Sequence, residues 1–450
     1  MTKLYKYQKR DVKRILRFKG RTLLALEMGL GKTVIALTFL RIRPALRPAL
    51  VVCPASAKWV WKAEIRKHTK LTCRILNGKT PKHYRRLPDV TIINYDILSA
   101  WKNHLKDMGF QVLIIDECHY GKNWKARRTK ALASLGKCSE HILALSGTPL
   151  TNRPKELFTT LKLLVPWKFN SFVPYAFRYC NRRMTPWGWD DTGASHLDEL
   201  HDILLQTCMI RHTKSEVLKE LPPKRRTVVP LPIQKPAEYA EAEDDFIKWL
   251  AKRDVKKAKR AENAEQLVKL GYLKRLAAEL KMKAVIEWVD NFFEETDEKL
   301  VLFAFHKKVI ERLKAEYPKT SVVIDGSTSQ KDREKNVLSL GKDKKTRLFI
   351  GQIVAAGTAI TLTSASTVAF VELDWVPGNH IQAEDRCHRI GQKNHVQVYY
   401  LIAKNTIEQD LCKVIQKKSK IITSVLDGAS KNNDMNVFDQ LMKTFEKRIK

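Results

Sequence analysis

Short, almost wholly apolar runs recur along the chain. They are separated by longer stretches in which apolar residues return every three or four positions. Residues 22–25, 49–52, 90–93, 112–115 and 142–145 are runs of the first kind. Strands buried on both faces of a parallel sheet read as such near-continuous aliphatic runs, and the helical stretches between them supply the crossovers. The pattern returns at 300–303, 321–324, 347–350, 368–371 and 396–400. Alternation of this kind predicts an α/β fold with parallel sheets, here two in tandem. The halves share a pattern and not residues. Between them, residues 154–220 read as a helical, aromatic-rich insertion, and Leu221-Pro222-Pro223 breaks the chain. The expected division is a first lobe over 1–226 and a second over 227–450. The second lobe opens with a Lys- and Ala-rich helical protrusion near 237–283 and ends in helices.

Charge narrows the class of partner. Lys and Arg number 83 against 48 Asp and Glu, a formal excess of +35. So large an excess favours a polyanion, most simply nucleic acid. Hydrophobic residues make up 44% of the chain, enough for real cores, which excludes wholesale disorder. The run 248–259 reads first as a solvated helix face, with direct DNA contact as the alternative. None of the eight cysteines forms a C-x-x-C pair, so zinc-ribbon spacing is absent. The start lacks the apolar core of a secretory signal, so reduced thiols in a cytoplasmic protein are expected. Residues 348–371 carry no charge and are long enough to span a bilayer. Their Gln352, threonines, serines and glycines favour two buried strands with a polar turn, and no membrane partner.

Candidate chemistry sits at the ends of three first-half strands. After residues 22–26 comes Glu27-Met28-Gly29-Leu30-Gly31-Lys32-Thr33, then a helical run. Glycines let backbone amides approach phosphate oxygens, and the helix N-terminus favours the negative charge. Lys32 suits the β- and γ-phosphates and Thr33 suits magnesium. The strict eight-residue phosphate-loop pattern fails because Leu26 stands where its first glycine would be. The second strand ends in Asp116-Glu117-Cys118-His119. Asp116 suits magnesium, and Glu117 suits orienting and deprotonating an attacking water. The third ends in Ser146-Gly147-Thr148-Pro149. Sites of α/β sheets lie at such strand C-termini. In the second half, Arg386 and Arg389 stand three apart and are predicted to share a helix face. There they would stabilise charge on a transferring phosphoryl group or simply form a basic surface.

These motifs, in this order and over nearly the whole chain, resemble a SWI/SNF-type ATPase of helicase superfamily two. Tyr7-Gln8 resembles the adenine-reading glutamine motif, and Gly29 to Thr33 resembles motif I. Cys53-Pro54-Ala55-Ser56 with Trp61 and Glu64 resembles motif Ia. Asp116 to His119 resembles motif II, extended by Lys122-Asn123. Ser146 to Asn152 resembles motif III. Arg211 with Lys214 to Leu218 resembles the lobe linker. Asp325-Gly326-Ser327, Asp374-Trp375-Val376-Pro377 and the ending Arg386-Cys387-His388-Arg389-Ile390-Gly391-Gln392 resemble the second-lobe motifs. Arg178-Tyr179-Cys180, Pro186-Trp187-Gly188-Trp189-Asp190 and Gly193-Ala194-Ser195-His196-Leu197 are similar to the annealing-helicase (HARP-type) branch. Ala359 departs from the glycine usual in motif V.

The resemblance implies two RecA-like lobes and a DNA-dependent ATPase using ATP and Mg2+. Gln8, Gly29, Leu30, Gly31, Lys32 and Thr33 would hold nucleotide. Thr33 and Asp116 would hold the metal, and Lys32, Asp116, Glu117, Arg386 and Arg389 would be catalytic. Ser56, Lys122, Asn123, His306, Lys307, Thr361 and Trp375 would contact DNA. It also implies a monomeric motor, in a compact bacterial or phage form, that remodels double-stranded and branched DNA by fork reversal, branch migration or strand annealing in replication, recombination or repair. A conventional unwinding helicase, an RNA-dependent motor and a DNA-binding scaffold with a vestigial ATPase are the alternatives. The aromatic segment 167–189 has two readings, a wedge that stacks on splayed bases or the small core of the insertion. The near-helical spacing of Phe169, Phe172, Tyr175 and Phe177 favours the core.

Overall fold

The computed structural model describes residues 3–84, 86–186, 188–251, 260–357 and 360–428. They form two compact units: residues up to Leu221 together with the chain from Lys418, and residues from Pro222 to Lys417.

Unit one is built on a seven-stranded parallel sheet. Its strands are β1 (Arg21–Leu24), β2 (Ala49–Cys53), β3 (Cys73–Ile75), β4 (Val90–Asn94), β5 (Val112–Asp116), β6 (His141–Leu145) and β9 (Met209–Ile210), in the order β3-β4-β2-β5-β6-β1-β9. The apolar runs explain the layering, because successive side chains point to opposite faces. Leu23, Leu50, Val52, Leu113, Ile115 and Ile142 join one core. Leu24, Ala49, Val51, Val112, Ile114 and Leu143 join the other. Both faces are therefore covered, as parallel sheets require. A separate two-stranded antiparallel hairpin, β7 (Arg183–Thr185) and β8 (Gly188–Asp190), stands in the insertion. The insertion is thus not wholly helical.

Unit two carries a six-stranded parallel sheet: β10 (Lys224–Leu231), β11 (Leu300–Ala304), β12 (Ser321–Ile324), β13 (Leu348–Gln352), β14 (Thr367–Phe370) and β15 (Val396–Ala403), ordered β10-β15-β14-β11-β13-β12. Val301, Phe303, Phe349, Val368 and Phe370 face one core, and Leu300, Leu302, Leu348, Ile350 and Ala369 the other. Helices Pro236–Ala251, Arg260–Leu280 and Met282–Glu295 make up the expected protrusion region and extend past it. The run 248–259 lies mostly outside the described residues, as does Ala359.

Two expectations change. The units part at Leu221/Pro222, and position 226 falls inside β10, which pairs with β15 along its whole length. The last turns of helix Ile407–Asp427 belong to unit one and not to the second lobe, because Ile422, Val425 and Leu426 complete the first core. The uncharged stretch 348–371 holds the two expected buried strands, β13 and β14, with a short helix Ile353–Ala356 after the first. Among the described residues no helix is long and apolar enough to cross a membrane.

Candidate nucleotide site and nucleic-acid interface

The phosphate loop of unit one is fixed from both sides. Ala25 and Glu27 donate their amides to the carbonyls of Ile210 and His212 at 2.9 and 3.0 Å, which extends the β1–β9 ladder into the loop. Gly29 and Gly31 take positive φ angles of 87° and 76°. Gly31 also caps helix Lys32–Ile42. A Cβ on Gly31 would stand 2.5 Å from the Gln8 side-chain nitrogen, so only glycine fits there. Lys32 Nζ donates to the Leu26 carbonyl at 2.9 Å, and Thr33 follows in the first turn of the helix. Gln8 is buried. Its amide reaches the Leu30 carbonyl and the Tyr7 hydroxyl, both at 3.4 Å, and its oxygen accepts from the Tyr5 amide at 3.0 Å. Tyr7 donates to the same Leu30 carbonyl at 2.9 Å.

Register places the next motifs side by side, since Asp116 of β5 lies opposite Leu145 of β6. Asp116 Oδ2 accepts from Trp61 Nε1 at 2.8 Å, and its Oδ1 accepts from the Glu117 amide at 3.1 Å. Burial, then the charge of Glu117, raises the Asp116 carboxyl to about 7, against the pull of Trp61 and Lys32. Glu117 sits in left-handed backbone at φ 49°, a strain typical of functional turns. Its Oε2 accepts from Ser146 Oγ at 3.0 Å and lies 3.3 Å from His119 Nδ1. Burial holds His119 down to about 4, so its ring is neutral at neutral pH. Gly147 lies against the loop: a Cβ there would meet Met28 Cγ at 2.8 Å and Lys32 Nζ at 3.4 Å.

Lys122 does not project freely. Its Nζ donates to Thr151 Oγ1 at 2.8 Å and pairs with Glu156 at 3.2 Å, and Glu156 also gathers the amides of Thr151 and Asn152. Asn123 is exposed and accepts from the Lys125 amide, while Ser56 lies in the short turn Ala55–Ala57 after β2.

In unit two the expected shared helix face for Arg386 and Arg389 is absent. Helix Pro377–Glu384 ends before them. The chain turns there because the Arg386 carbonyl is taken by the Leu362 amide and the Cys387 carbonyl by Gln392 Nε2. Glu384, fully buried, is drawn to Arg226 at 2.7 Å and Lys224 at 2.6 Å. The two arginines still converge: Arg386 Nη1 and Arg389 Nη1 both donate to the Ile360 carbonyl, at 3.2 and 3.3 Å. Arg386 is buried, whereas Arg389 is partly exposed and reaches Thr361 Oγ1 at 2.8 Å. His306 is clasped by Glu372, which accepts from the His306 ring and from the amides of Phe305 and His306. Lys307 begins helix Lys307–Glu316 and is exposed, and Trp375 packs partly into the core.

Residues 7–283 match the SNF2-related domain, and residues 280–391 match the helicase conserved C-terminal domain. The chain belongs to the SNF2-related family. It is 38% identical over 435 residues to the SWI/SNF-related matrix-associated actin-dependent regulator of chromatin subfamily A-like protein 1 homolog of Caenorhabditis elegans, across 94% of this chain and 62% of that protein. It is 36% identical over 446 residues to the DNA annealing helicase and endonuclease ZRANB3 of Mus musculus, across 95% of this chain and 41% of that protein. The chain therefore spans only part of the length of these relatives.

Sequence reading of this SNF2-related chain missed two supports. Arg211 Nη1 donates to the Ala25 carbonyl at 2.9 Å while its Nε pairs with Asp427 at 2.7 Å, tying the phosphate loop to the end of helix Ile407–Asp427. No spacing signal links residues so far apart. Lys224 and Arg226 follow the Leu221-Pro222-Pro223 break with no apolar run to mark a strand, and only the β10–β15 pairing places them over Glu384.

Proposed function

We propose that this chain is an ATP-driven motor on double-stranded DNA that remodels branched forms, by reversing forks, migrating junctions or reannealing strands. The observation that carries the reading is the placement of Lys32, Asp116, Glu117 and Ser146 together at the C-terminal edge of the first sheet. This is the arrangement phosphoryl transfer needs, where positioning and charge stabilisation do most of the work. Glycine amides and Lys32 would hold the phosphates, with Gln8 bracing the loop from behind. The residues fit Mg2+: the Asp116 carboxyl is buried at the end of β5, where a bound cation would favour its charged form, and Thr33 lies in the first turn of helix Lys32–Ile42. Among the described residues no three-ligand carboxylate, histidine or cysteine cluster exists, so phosphate oxygens would complete the ion's shell. Bound there, the ion would neutralise charge on the phosphates. Glu117, held by Ser146, would take the proton of the attacking water.

Arg389 is the better candidate for the cation that stabilises the transferring phosphoryl group. Arg386 is buried on backbone carbonyls and would position it. Ser56, Lys122, Asn123, His306, Lys307, Thr361 and Trp375 are proposed DNA contacts, made mainly to phosphates. Binding would then be weakly sequence-selective and strongly salt-dependent. The hydroxyl of Thr361, the ring of His306 and the ammonium of Lys122 already have partners, so these three would orient neighbouring groups as much as touch the duplex. The name of the ZRANB3 relative, a DNA annealing helicase, supports the strand-reannealing part of this reading.

The test compares ATP hydrolysis with single-stranded DNA, plain duplex, forked DNA, a four-way junction and RNA. Strongest stimulation by the branched forms is expected. Stimulation by single strands alone favours a conventional unwinding helicase, and stimulation by RNA alone overturns the proposal.

A further inference from the structure

The insertion's aromatics divide sharply. Phe169, Tyr175 and Tyr179 are buried in the first core. Phe177 and Trp189 are not: they are 50% and 49% exposed, with ring centroids 5.4 Å apart and planes at 80°. The Arg182 guanidinium lies over both rings, 5.6 Å from Phe177 and 4.6 Å from Trp189. Met184 is the cross-strand partner of Trp189, so both share one face of the β7–β8 ribbon, and Met184 is 65% exposed. Stability does not account for these side chains, since the core closes without them.

The hairpin is held firmly beneath this face. Lys155 pairs with Asp191 at 2.5 Å, Asp190 accepts from the hydroxyl and amide of Thr192, and Ser195 Oγ donates to the Arg178 carbonyl at 2.6 Å. Charge around it is sorted. Asp190 lies 3.7 Å from Arg183, and Arg178 is engaged by Glu199. Arg182 makes no ion pair among the described residues, and its Nε has no hydrogen-bond partner. A rigid pair of rings with an uncompensated guanidinium suits a flat, electron-rich group attached to an anion. A nucleobase on its phosphate backbone has that chemistry.

We propose that Phe177, Arg182 and Trp189 form a stacking site for an unpaired base at a DNA branch point. The proposal rests on the DNA-motor reading and specifies which feature of the branch is recognised. Stacking on such a site is sequence-tolerant because every base has a π-face.

The test measures affinity by fluorescence anisotropy for a fork with unpaired junction bases, the same fork with abasic junction positions, and plain duplex. The native chain is expected to bind the abasic fork roughly five- to a hundred-fold more weakly than the intact one. This comparison needs no variant. The double variant Phe177→Ala/Trp189→Ala is expected to lose a similar factor on the intact fork and to be indifferent to abasic positions. Plain-duplex affinity and duplex-stimulated ATP hydrolysis should stay within about twofold, and Trp189→Phe alone should keep most of the fork affinity. Equal binding of intact and abasic forks by the native chain overturns the stacking site, as does an undiminished double variant, the result expected if the patch serves a protein partner instead. Absence of duplex-stimulated hydrolysis in the native chain is a different failure, that of the motor reading.

Discussion

The Ser146 hydroxyl donates to Glu117 Oε2 at 3.0 Å and accepts from the Thr148 amide at 3.1 Å, so the end of β6 aims the carboxylate at the end of β5. Glu117→Gln removes the proposed base while keeping the shape, and turnover should fall by about a hundred-fold or more. Ser146→Ala removes only the aim and should cost on the order of tenfold in kcat with little change in KM. Steady-state kinetics of the two variants checks the ordering. A larger loss for Ser146→Ala than for Glu117→Gln would give the serine a direct role.

Lys32 is the one flexible cation lying on the loop itself, held at the Leu26 carbonyl. Lys32→Ala should abolish hydrolysis while duplex binding, proposed to rest on other residues, persists. Parallel ATPase and anisotropy measurements decide it, and retained hydrolysis refutes the phosphate assignment.

The raised carboxyl of Asp116 makes the site pH-dependent. Below about 7 it is protonated in the cation-free chain and a poor metal ligand, so activity should fall as pH drops through that region. More Mg2+ should move this limb to lower pH. Trp61→Phe deletes a hydrogen bond that lowers the Asp116 value, so its limb should move to higher pH. The stability effect has the opposite sense. A folded-state value above the ordinary carboxylate value of about 3.9 gives a contribution present at low pH and lost as pH rises through about 7. Asp116→Asn should remove that dependence from the melting curve in metal-free buffer.

Arg211 is a buried charge whose balance comes from the far end of the chain. Burial works against its ionisation, and Asp427 and Glu27 outweigh it. Asp427→Ala leaves the guanidinium short of a partner, which costs on the order of 3 kcal/mol for such buried pairs. Chemical denaturation should show this loss. Nucleotide affinity should weaken as well, because Arg211 also holds the Ala25 carbonyl before the loop.

Much of this architecture was legible in the residue pattern. All ten strands read from apolar runs are present, and the phosphate loop, Asp116-Glu117 and Ser146 stand where strand C-termini predict. The failures have physical causes. β3 has three residues and β9 two, too short for any periodicity. β10 carries Lys224, Arg225, Arg226 and Pro230, so no apolar run marks it as a strand. It is an edge strand, where proline is tolerated, and Lys224 and Arg226 are satisfied by the buried carboxylates of Glu384 and, for Lys224, Asp385 as well. The helix predicted for Arg386 and Arg389 gives way to a turn because the distant Leu362 amide and the nearby Gln392 side chain claim its carbonyls. Helical spacing grouped Phe177 with Phe169 and Tyr175, yet a stripe that wide cannot all face one core, and Phe177 lies outside it.

The central claim, ATP-driven movement along intact duplex, is tested most directly by displacement of a third strand from a DNA triplex. ATP-dependent release of the third strand is expected, with the underlying duplex left paired, and no release by the Lys32→Ala chain. Failure to release it, or release only where the duplex itself is unwound from a single-stranded tail, would contradict the account.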